Sequence, residues 1–380
     1  MPQVLYINEP PSQQEENRAY RWRKLSGEDG WDGLLYPLDL DLRRYIIHYG
    51  QRAGSVGDLF NYNRHGQLPK EKFFQEAGLV KGNEFKYDVS HYIYAGSEVV
   101  NPAWFGFVAV TTDDGKRVLG RRDTLIAWRG TITFSERLNN LNSAQQSAEQ
   151  LFGTESEATV HSGFLSFYTG TRSDSIDVKK SARHQMQVRE ALKELLTKYK
   201  DEEVSITVTG FSLGGALATL NAMDIVANGF NKARSNHSPP CMVQPSHTVL
   251  LASDTMVWRN YPENWIIFKF YALKTPRTSC QKCRAYTDTE EVGIIEERSW
   301  VNDFFSAHNM DVYVHAIAGE QEGDKFHLEV DIDYKLVNKH LDRLKVEYGV
   351  PTYWWDGENR KRMEQEDHSG HWKVKRDLNI

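Results

Sequence analysis

The chain has 380 residues, with 46 Lys and Arg against 52 Asp and Glu, which gives a formal net charge of −6. This balance excludes the basic field of a nucleic-acid-binding protein and a charge-driven attraction to anionic membranes. Residues 1–27 lack the apolar run of a signal peptide and carry Glu9, Glu15 and Glu16, which argues against a transit peptide. No stretch approaches the roughly 20 apolar residues of a membrane span, so the sequence predicts no transmembrane segment.

Three cysteines are too few for a disulfide framework, and only Cys280 and Cys283 stand close together. A zinc site would need a second such pair or histidines at ligand spacing, and neither follows. A redox role would need the pair at a helix start after a strand, whereas Pro276, Arg277 and Thr278 indicate a loop. We therefore expect no metal and no cofactor.

The elements of the N-terminal half follow from periodicity and turn residues. The sequence predicts a polar arm over 1–26, a helix over Leu40–Gly54 with Asp39 near its N-terminus, and strands over Phe105–Val110 and Thr124–Trp128 around a turn at Asp113–Gly115.

Helices and strands alternate in the C-terminal half. The predicted elements are a helix over Ser181–Lys200, a strand over Val204–Thr209, a helix over Gly214–Ala227, a loop over Phe230–Gln244, strands over Thr248–Ala252, Ile266–Tyr271 and Phe326–Val330, and a helix over Leu336–Tyr348. Such alternation is typical of an α/β fold. Because α/β folds of this length often form one domain, we expect a single domain over 27–380 with a C-terminal extension.

The most informative stretch is Gly210-Phe211-Ser212-Leu213-Gly214. It lies between a β-branched strand and an Ala- and Leu-rich helix, which is the context that the nucleophile elbow of a serine hydrolase requires. Its glycines let the chain reverse direction without a Cβ in the way. A phosphate-binding loop would need a lysine after its last glycine, but Ala216 follows Gly215. Ser212 is therefore the candidate nucleophile.

Several further stretches accompany the elbow and extend a family resemblance over nearly the whole chain. They are Val118–Asp123, Ala127–Thr131, Val160–Phe164, Leu217–Asn221, Val337–Lys339 and Trp354–Trp355. Together they resemble the plant class II phospholipase A1 branch of the class 3 lipases. The resemblance implies an α/β-hydrolase fold, with a mostly parallel central sheet flanked by helices. It also implies a cytosolic location and metal-free hydrolysis of the sn-1 acyl ester of glycerolipids.

A serine hydroxyl needs a histidine to take its proton and an acid to hold that histidine. In α/β-hydrolases the order along the chain is Ser, acid, His. The histidines after the elbow include His237, His247, His308, His315 and His327. The segment that begins with His308 resembles the family's block around its catalytic histidine, so His308 is the predicted base.

The acid is where the sequence departs from the family. The matching strand ends before Lys274, and lysine cannot accept the imidazole proton. Its charge would also disfavour the imidazolium that must form. Asp254 stands just past the preceding predicted strand and is the substitute candidate, while Asp288 matches a non-catalytic stretch of the family. Asp254 as a solvent-facing loop residue stays the open alternative.

The predicted oxyanion hole has two donors. One is the backbone N–H of Leu213, directly after the nucleophile. The second, by resemblance, is Thr131, whose backbone and hydroxyl can both donate; the alternative is a threonine that merely ends a strand.

Two other features bear on lipid contact. The segment Leu141–Leu151, where a lid would lie, is mostly polar, and Arg137 and Asn140 replace residues usual in the family. An amphipathic lid is expected where a lid opens at lipid. Trp354 and Trp355 suit either a lipid interface or the protein core, and we favour core packing.

The sequence therefore predicts an acylhydrolase that acts on a glycerolipid substrate during transient contact with a membrane. The alternative is a catalytically impaired homologue that binds lipid or protein, which Lys274, Asn140 and Arg137 favour. A thioesterase or carboxylesterase with the same residues but another pocket is a third hypothesis.

Overall fold

The structure, a computed structural model, describes residues 18–62, 68–97, 100–130, 145–153, 158–170, 184–232, 242–245, 309–322 and 325–375. Its strands are β1 Tyr87–Ser97, β2 Val100–Thr111, β3 Arg122–Trp128, β4 Gln145–Ser147, β5 Thr159–His161, β6 Val204–Gly210, β7 Met242–Pro245, β8 Gly319–Glu322, β9 Lys325–Leu328, β10 Met363–Gln365 and β11 Trp372–Val374. Its α-helices are α1 Trp22–Leu25, α2 Leu40–Tyr62, α3 Phe73–Glu76, α4 Asp113–Leu119, α5 Glu149–Phe152, α6 Ser162–Thr169, α7 His184–Lys198, α8 Leu213–Ala227, α9 Met310–Ala318 and α10 Gly357–Lys361. Short 3-10 helices cover Lys70–Lys72, Tyr334–Asn338 and Val346–Tyr348.

The main described sheet has five strands in the order β1-β2-β3-β6-β7. β2 is antiparallel to β1 and β3, whereas β3, β6 and β7 are parallel. The described sheet is therefore mixed rather than mostly parallel. Every residue of β3 is buried, as is β6 from Ser205 onward, because helices cover both faces of a parallel sheet.

Successive residues of β2 and β3 pack alternately in two hydrophobic cores. Phe107 and Leu125 join a core with α2 and the C-terminal tryptophans. Val108 and Ile126, each one position later, join the core that α7 and α8 complete. Because neighbouring side chains of a strand point to opposite faces, the two cores lie on opposite sides of the sheet.

The N-terminal region differs from its prediction. Trp22 and Leu25 of α1 are buried, so the described end of the predicted 1–26 arm is packed against the protein. α2 begins after Asp39, whose Oδ1 accepts hydrogen bonds from the N–H groups of Asp41 (3.0 Å) and Leu42 (3.1 Å), as an N-cap does. The helix continues beyond the predicted end at Gly54.

A helix replaces the turn predicted at Asp113–Gly115. Thr112 Oγ1 accepts the Gly115 N–H at 3.1 Å and caps α4, which ends at Gly120 in the left-handed conformation. A strand, β7, likewise replaces the end of the loop predicted over Phe230–Gln244 and pairs with β6.

The helix predicted over Leu336–Tyr348 does not form. Asn338 Oδ1 accepts hydrogen bonds from the N–H groups of Arg343 (2.8 Å) and Leu344 (2.9 Å). These bonds turn the chain away from a helical path, and only 3-10 helices remain at the two ends of the range. Likewise, the strand predicted over Phe326–Val330 is β9, which pairs with β8 outside the main sheet.

The tryptophans of the C-terminal segment pack in the core. Trp354 and Trp355 are 0% and 1% exposed, and their rings lie 5.0 Å and 5.6 Å from that of Trp372. The prediction of core packing over a lipid interface is confirmed.

Several predictions fall outside the described residues. These are the strands over Thr248–Ala252 and Ile266–Tyr271, and the loop with Cys280 and Cys283.

Candidate active site

The turn between β6 and α8 has the geometry of a nucleophile elbow. Ser212 connects the strand to the helix with φ 56° and ψ −123°. A side-chain-bearing residue rarely adopts such a conformation, which costs about 1–3 kcal/mol and is found mostly at functional sites. The strain is an observation that favours Ser212 as a reacting residue.

The elbow needs both of its flanking glycines. A Cβ built on Gly210 would lie 2.1 Å from the carbonyl oxygen of Gly214, and one built on Gly214 would lie 2.2 Å from the carbonyl oxygen of Trp128. Because backbone atoms cannot move aside as a flexible side chain can, any larger residue would displace the turn.

The hydroxyl of Ser212 lies at the N-terminus of α8. The residue is 5% exposed, and its Oγ has no hydrogen-bond partner among the described residues. Leu213 is the first residue of α8, so its N–H has no acceptor within the helix and stands beside the nucleophile. An N–H at a helix N-terminus can stabilise a developing negative charge.

The end of β3 runs beside the elbow. Trp128 is the register partner of Gly210 in the parallel pair of β3 and β6. A Cβ built on Gly130 would lie 2.8 Å from Phe211 O and 3.2 Å from Ser212 Cβ. Thr131, the predicted second oxyanion donor, follows Gly130 but lies outside the described residues.

Helix α9 also reaches the elbow. The ring of Tyr313 lies 6.4 Å from that of Phe211, the residue before the nucleophile. Asn309 caps α9, because its Oδ1 accepts the N–H groups of Asp311 (2.8 Å) and Val312 (3.2 Å). Asn309, the residue after His308, thus caps a helix that contacts the elbow.

The described residues bring together Ser212, Leu213, the chain that follows β3 and the helix α9. His308, Asp254 and Lys274 lie outside them, so the base, the substitute acid and the lysine at the family's acid position stay predictions.

Two described histidines lie on or beside helices α9 and α6, and neither ring nitrogen of His315 has a hydrogen-bond partner among the described residues. His315 is buried in α9 with its ring 5.2 Å from that of Phe326, and burial lowers its pKa to about 4. His161 accepts the Gly163 N–H at its Nδ1 (3.1 Å) and caps α6, and burial lowers its pKa as well.

The chain was compared with known proteins. The family model for lipase (class 3) matches residues 125–245. Phospholipase A1-II 7 of Oryza sativa subsp. indica is 36% identical, over 93% of this chain and 96% of its own length. Phospholipase A1-IIbeta of Arabidopsis thaliana is 36% identical, over 94% of each chain. The chain belongs to the plant class II phospholipase A1 family. The predicted resemblance is confirmed, and the sheet with helices on both faces is the α/β-hydrolase fold of these lipases.

The sequence did not reveal the polar groups behind the elbow helix of this class II phospholipase A1. Trp128 Nε1 donates to Asn221 Oδ1 (3.1 Å), and Asn221 Nδ2 donates to Tyr168 OH (2.9 Å). Tyr168 OH in turn donates to Asp224 Oδ2 (2.8 Å), and Arg189 pairs with the same carboxylate. The sequence does contain a sign of these polar groups, since Asn221 and Asp224 stand in a helix that is otherwise rich in Ala and Leu.

The described residues also bear on metal binding and on membrane spanning. Within the described ranges, no group of three or more His, Cys, Asp and Glu side chains could hold a metal ion. No helix in that part of the chain is long and apolar enough to cross a membrane.

Proposed function

We propose that this class II phospholipase A1 is a serine acylhydrolase that cleaves the sn-1 acyl ester of glycerophospholipids. The observation that carries the proposal is the elbow, where strain, buried hydroxyl and helix N-terminus coincide at Ser212. Relatives named phospholipase A1, similar along nearly their whole length, support the substrate class.

Acyl transfer to the enzyme comes first. Ser212 Oγ attacks the ester carbonyl carbon while His308 takes the hydroxyl proton. The resulting oxyanion accepts hydrogen bonds from the N–H of Leu213 and from Thr131. When the carbon–oxygen bond to glycerol breaks, His308 returns the proton to the departing alkoxide. A lysophospholipid leaves, and the acyl group stays on Ser212.

Water completes the cycle. His308 takes a proton from a water molecule, whose oxygen attacks the acyl carbon. The second tetrahedral intermediate collapses to a fatty acid, and the proton returns to Ser212 Oγ. No metal or cofactor takes part in either half.

The proposed acid is Asp254. A carboxylate there would hold the His308 nitrogen that faces away from Ser212 and stabilise the imidazolium. Asp254→Asn is expected to lower kcat by orders of magnitude with little change in Tm, since loss of the triad acid in serine proteases costs about 10⁴. If instead Lys274→Asp raises the rate and Asp254→Asn leaves it unchanged, the acid is absent.

The decisive experiment is labelling of the full chain with a fluorophosphonate probe, followed by peptide mass spectrometry. We expect one adduct, on Ser212, and none in Ser212→Ala. Ser166→Ala is the matched control, since the Ser166 hydroxyl only donates to the Gly163 carbonyl. An adduct on another serine contradicts the mechanism.

Regiochemistry is tested on phosphatidylcholine with different acyl chains at sn-1 and sn-2, in mixed micelles. Release of the sn-1 acid is expected, and release of the sn-2 acid contradicts the assignment. Sedimentation with vesicles of the same lipid tests transient membrane contact. The location of a fluorescent fusion protein in the cell tests the cytoplasmic location.

An impaired homologue that binds lipid or protein is the second candidate function. Lys274 at the family's acid position favours it. Sedimentation with vesicles, with neither turnover nor probe labelling at Ser212, would support binding over hydrolysis.

A further inference from the structure

Four charged side chains meet where α2, α9 and the C-terminal segment come together. Lys339 Nζ lies 2.8 Å from Asp58 Oδ2 and 3.1 Å from Asp311 Oδ1, and His340 Nε2 lies 2.8 Å from Asp58 Oδ1. We name these residues the Lys339 cluster. Lys339, Asp58 and Asp311 are 5%, 6% and 8% exposed, so these three members of the cluster are buried, whereas the His340 side chain is 24% exposed.

The charges of the cluster depend on one another. Burial alone would raise the pKa of Asp58, but the ammonium of Lys339 and the hydrogen bond with His340 outweigh it and lower the pKa to about 2. A buried ion pair contributes little net stability, although removing one partner leaves a costly unpaired charge. What such a cluster does enforce is geometry, because each charge must keep its partner.

The geometry enforced is that of the first turn of α9. Asp311 lies in this turn, and its own N–H is held by the Asn309 cap at 2.8 Å. Lys339 therefore holds the first turn of α9 through Asp311, and the cap of that turn, Asn309, directly follows His308 in the chain. α9 also meets α2 closely, since a Cβ built on Gly54 would lie 3.2 Å from Met310 Cγ.

The same helix contacts the nucleophile turn through Tyr313 and Phe211. A displacement of the first turn of α9 would consequently move the chain at 308 relative to Ser212. Misplacement of a catalytic group by about 1 Å can lower a rate by about 100-fold.

We propose that Lys339 is a positioning residue for ester hydrolysis: with Asp58 and His340 it holds, through Asp311, the first turn of α9, the helix that directly follows the proposed base His308 and contacts the turn of Ser212. This inference rests on the proposed function, because it needs His308 as the base.

The test separates positioning from stability. Lys339→Met removes the ammonium from the buried carboxylate of Asp311 and leaves Asp58 with His340 as its remaining partner in the cluster, so it lowers Tm. The triple variant Lys339→Met, Asp58→Asn, Asp311→Asn leaves no unpaired charge and is expected to regain a Tm near that of the wild type. Lys335→Met is the matched control, since Lys335 pairs with Asp333 at 3.3 Å instead of with α9.

Four quantities are measured on the full chain: Tm, kcat and KM for 4-nitrophenyl butyrate, and hydrogen exchange of the peptide that contains the first turn of α9. The triple variant is expected to show kcat lowered by about 10- to 100-fold, KM within about twofold, and faster exchange in that peptide. Lys335→Met is expected to match the wild type in kcat and in exchange.

Recovery of both Tm and kcat in the triple variant overturns the inference, because the cluster would then only stabilise the fold. Unchanged exchange in the first turn of α9 overturns it as well. A wild-type chain that neither hydrolyses the ester nor reacts with the fluorophosphonate refutes the proposed function, and the positioning role with it. The two failures are thus distinguishable.

Discussion

Asp123, at the start of β3, is a buried carboxylate that accepts four side-chain hydrogen bonds. It is 0% exposed. Its Oδ1 accepts hydrogen bonds from Ser205 Oγ (2.6 Å) and Thr207 Oγ1 (2.7 Å), and its Oδ2 accepts from Tyr87 OH (2.6 Å) and Tyr49 OH (3.1 Å). These bonds join β3 to α2, β1 and the strand that leads to the nucleophile.

Asp123→Asn should destabilise the protein strongly. The amide keeps one oxygen, so two of the four donors would face an NH₂ group. Each hydrogen bond to a charged group contributes about 1.5–3 kcal/mol. The guanidinium of Arg121, buried 3.9 Å away, would also lose its carboxylate. Because hydroxyls can rotate to other acceptors, we expect a loss of roughly 4 kcal/mol in the free energy of unfolding.

Urea denaturation at pH 7, followed by far-UV circular dichroism, measures this loss. Asp113→Asn is the matched control, since that carboxylate pairs with Arg122 but its side chain is 92% exposed. The control should cost less than about 1 kcal/mol, as exposed ion pairs do. A loss below about 1 kcal/mol for Asp123→Asn, at an unchanged denaturant slope, would refute the reasoning.

Two further predictions concern a histidine and a glycine. Burial lowers the pKa of His315 to about 4 from 6.5. The unfolded chain therefore takes up a proton at His315 before the folded protein does. The free energy of unfolding is at its full value above pH 6.5 and decreases as the pH falls towards 4, by about 2 kcal/mol at pH 5. His315→Phe should remove that loss between urea melts at pH 7.5 and 5, and His327→Gln, at an exposed position, should not. Gly214→Ala, whose Cβ would lie 2.2 Å from the Trp128 carbonyl oxygen, should lower kcat by about 100-fold. Gly57→Ala, with no described atom within 4 Å of its Cβ, should keep kcat and gain about 0.5–1 kcal/mol of stability; equal rates for the two glycine variants would contradict the packing argument.

The elbow could be predicted from sequence because its determinants are local. The strand, the glycines and the helix lie within residues 204–227, and the structure places them as expected. The helix α4 was also within reach of sequence, since Thr112 and Gly120 are ordinary capping residues. The sequence predicts a turn instead because Asp and Gly are also favoured in turns.

The C-terminal segment could not be predicted in the same way. Its apolar spacing is typical of a helix, but Asn338 bonds the backbone of residues 343 and 344 and the tryptophans pack against a distant core. The Lys339 cluster combines residues 58, 311, 339 and 340, which no sequence window contains. Tertiary contacts override local propensity in such cases.

The lipase region over 125–245 carries Ser212, the proposed nucleophile, yet it ends before His308, the proposed base. The helix that follows His308 is held from outside that region, by α2 and by Lys339, whose ammonium joins Asp58 of α2 to Asp311 of α9. The C-terminal segment also supplies Trp354 and Trp355 to the core beneath α2. Because the same segment both completes that core and pairs with Asp311, it is part of the structure that sets α9 against the elbow. Changes in the C-terminal segment are therefore expected to act on turnover through the placement of His308, and not only through stability.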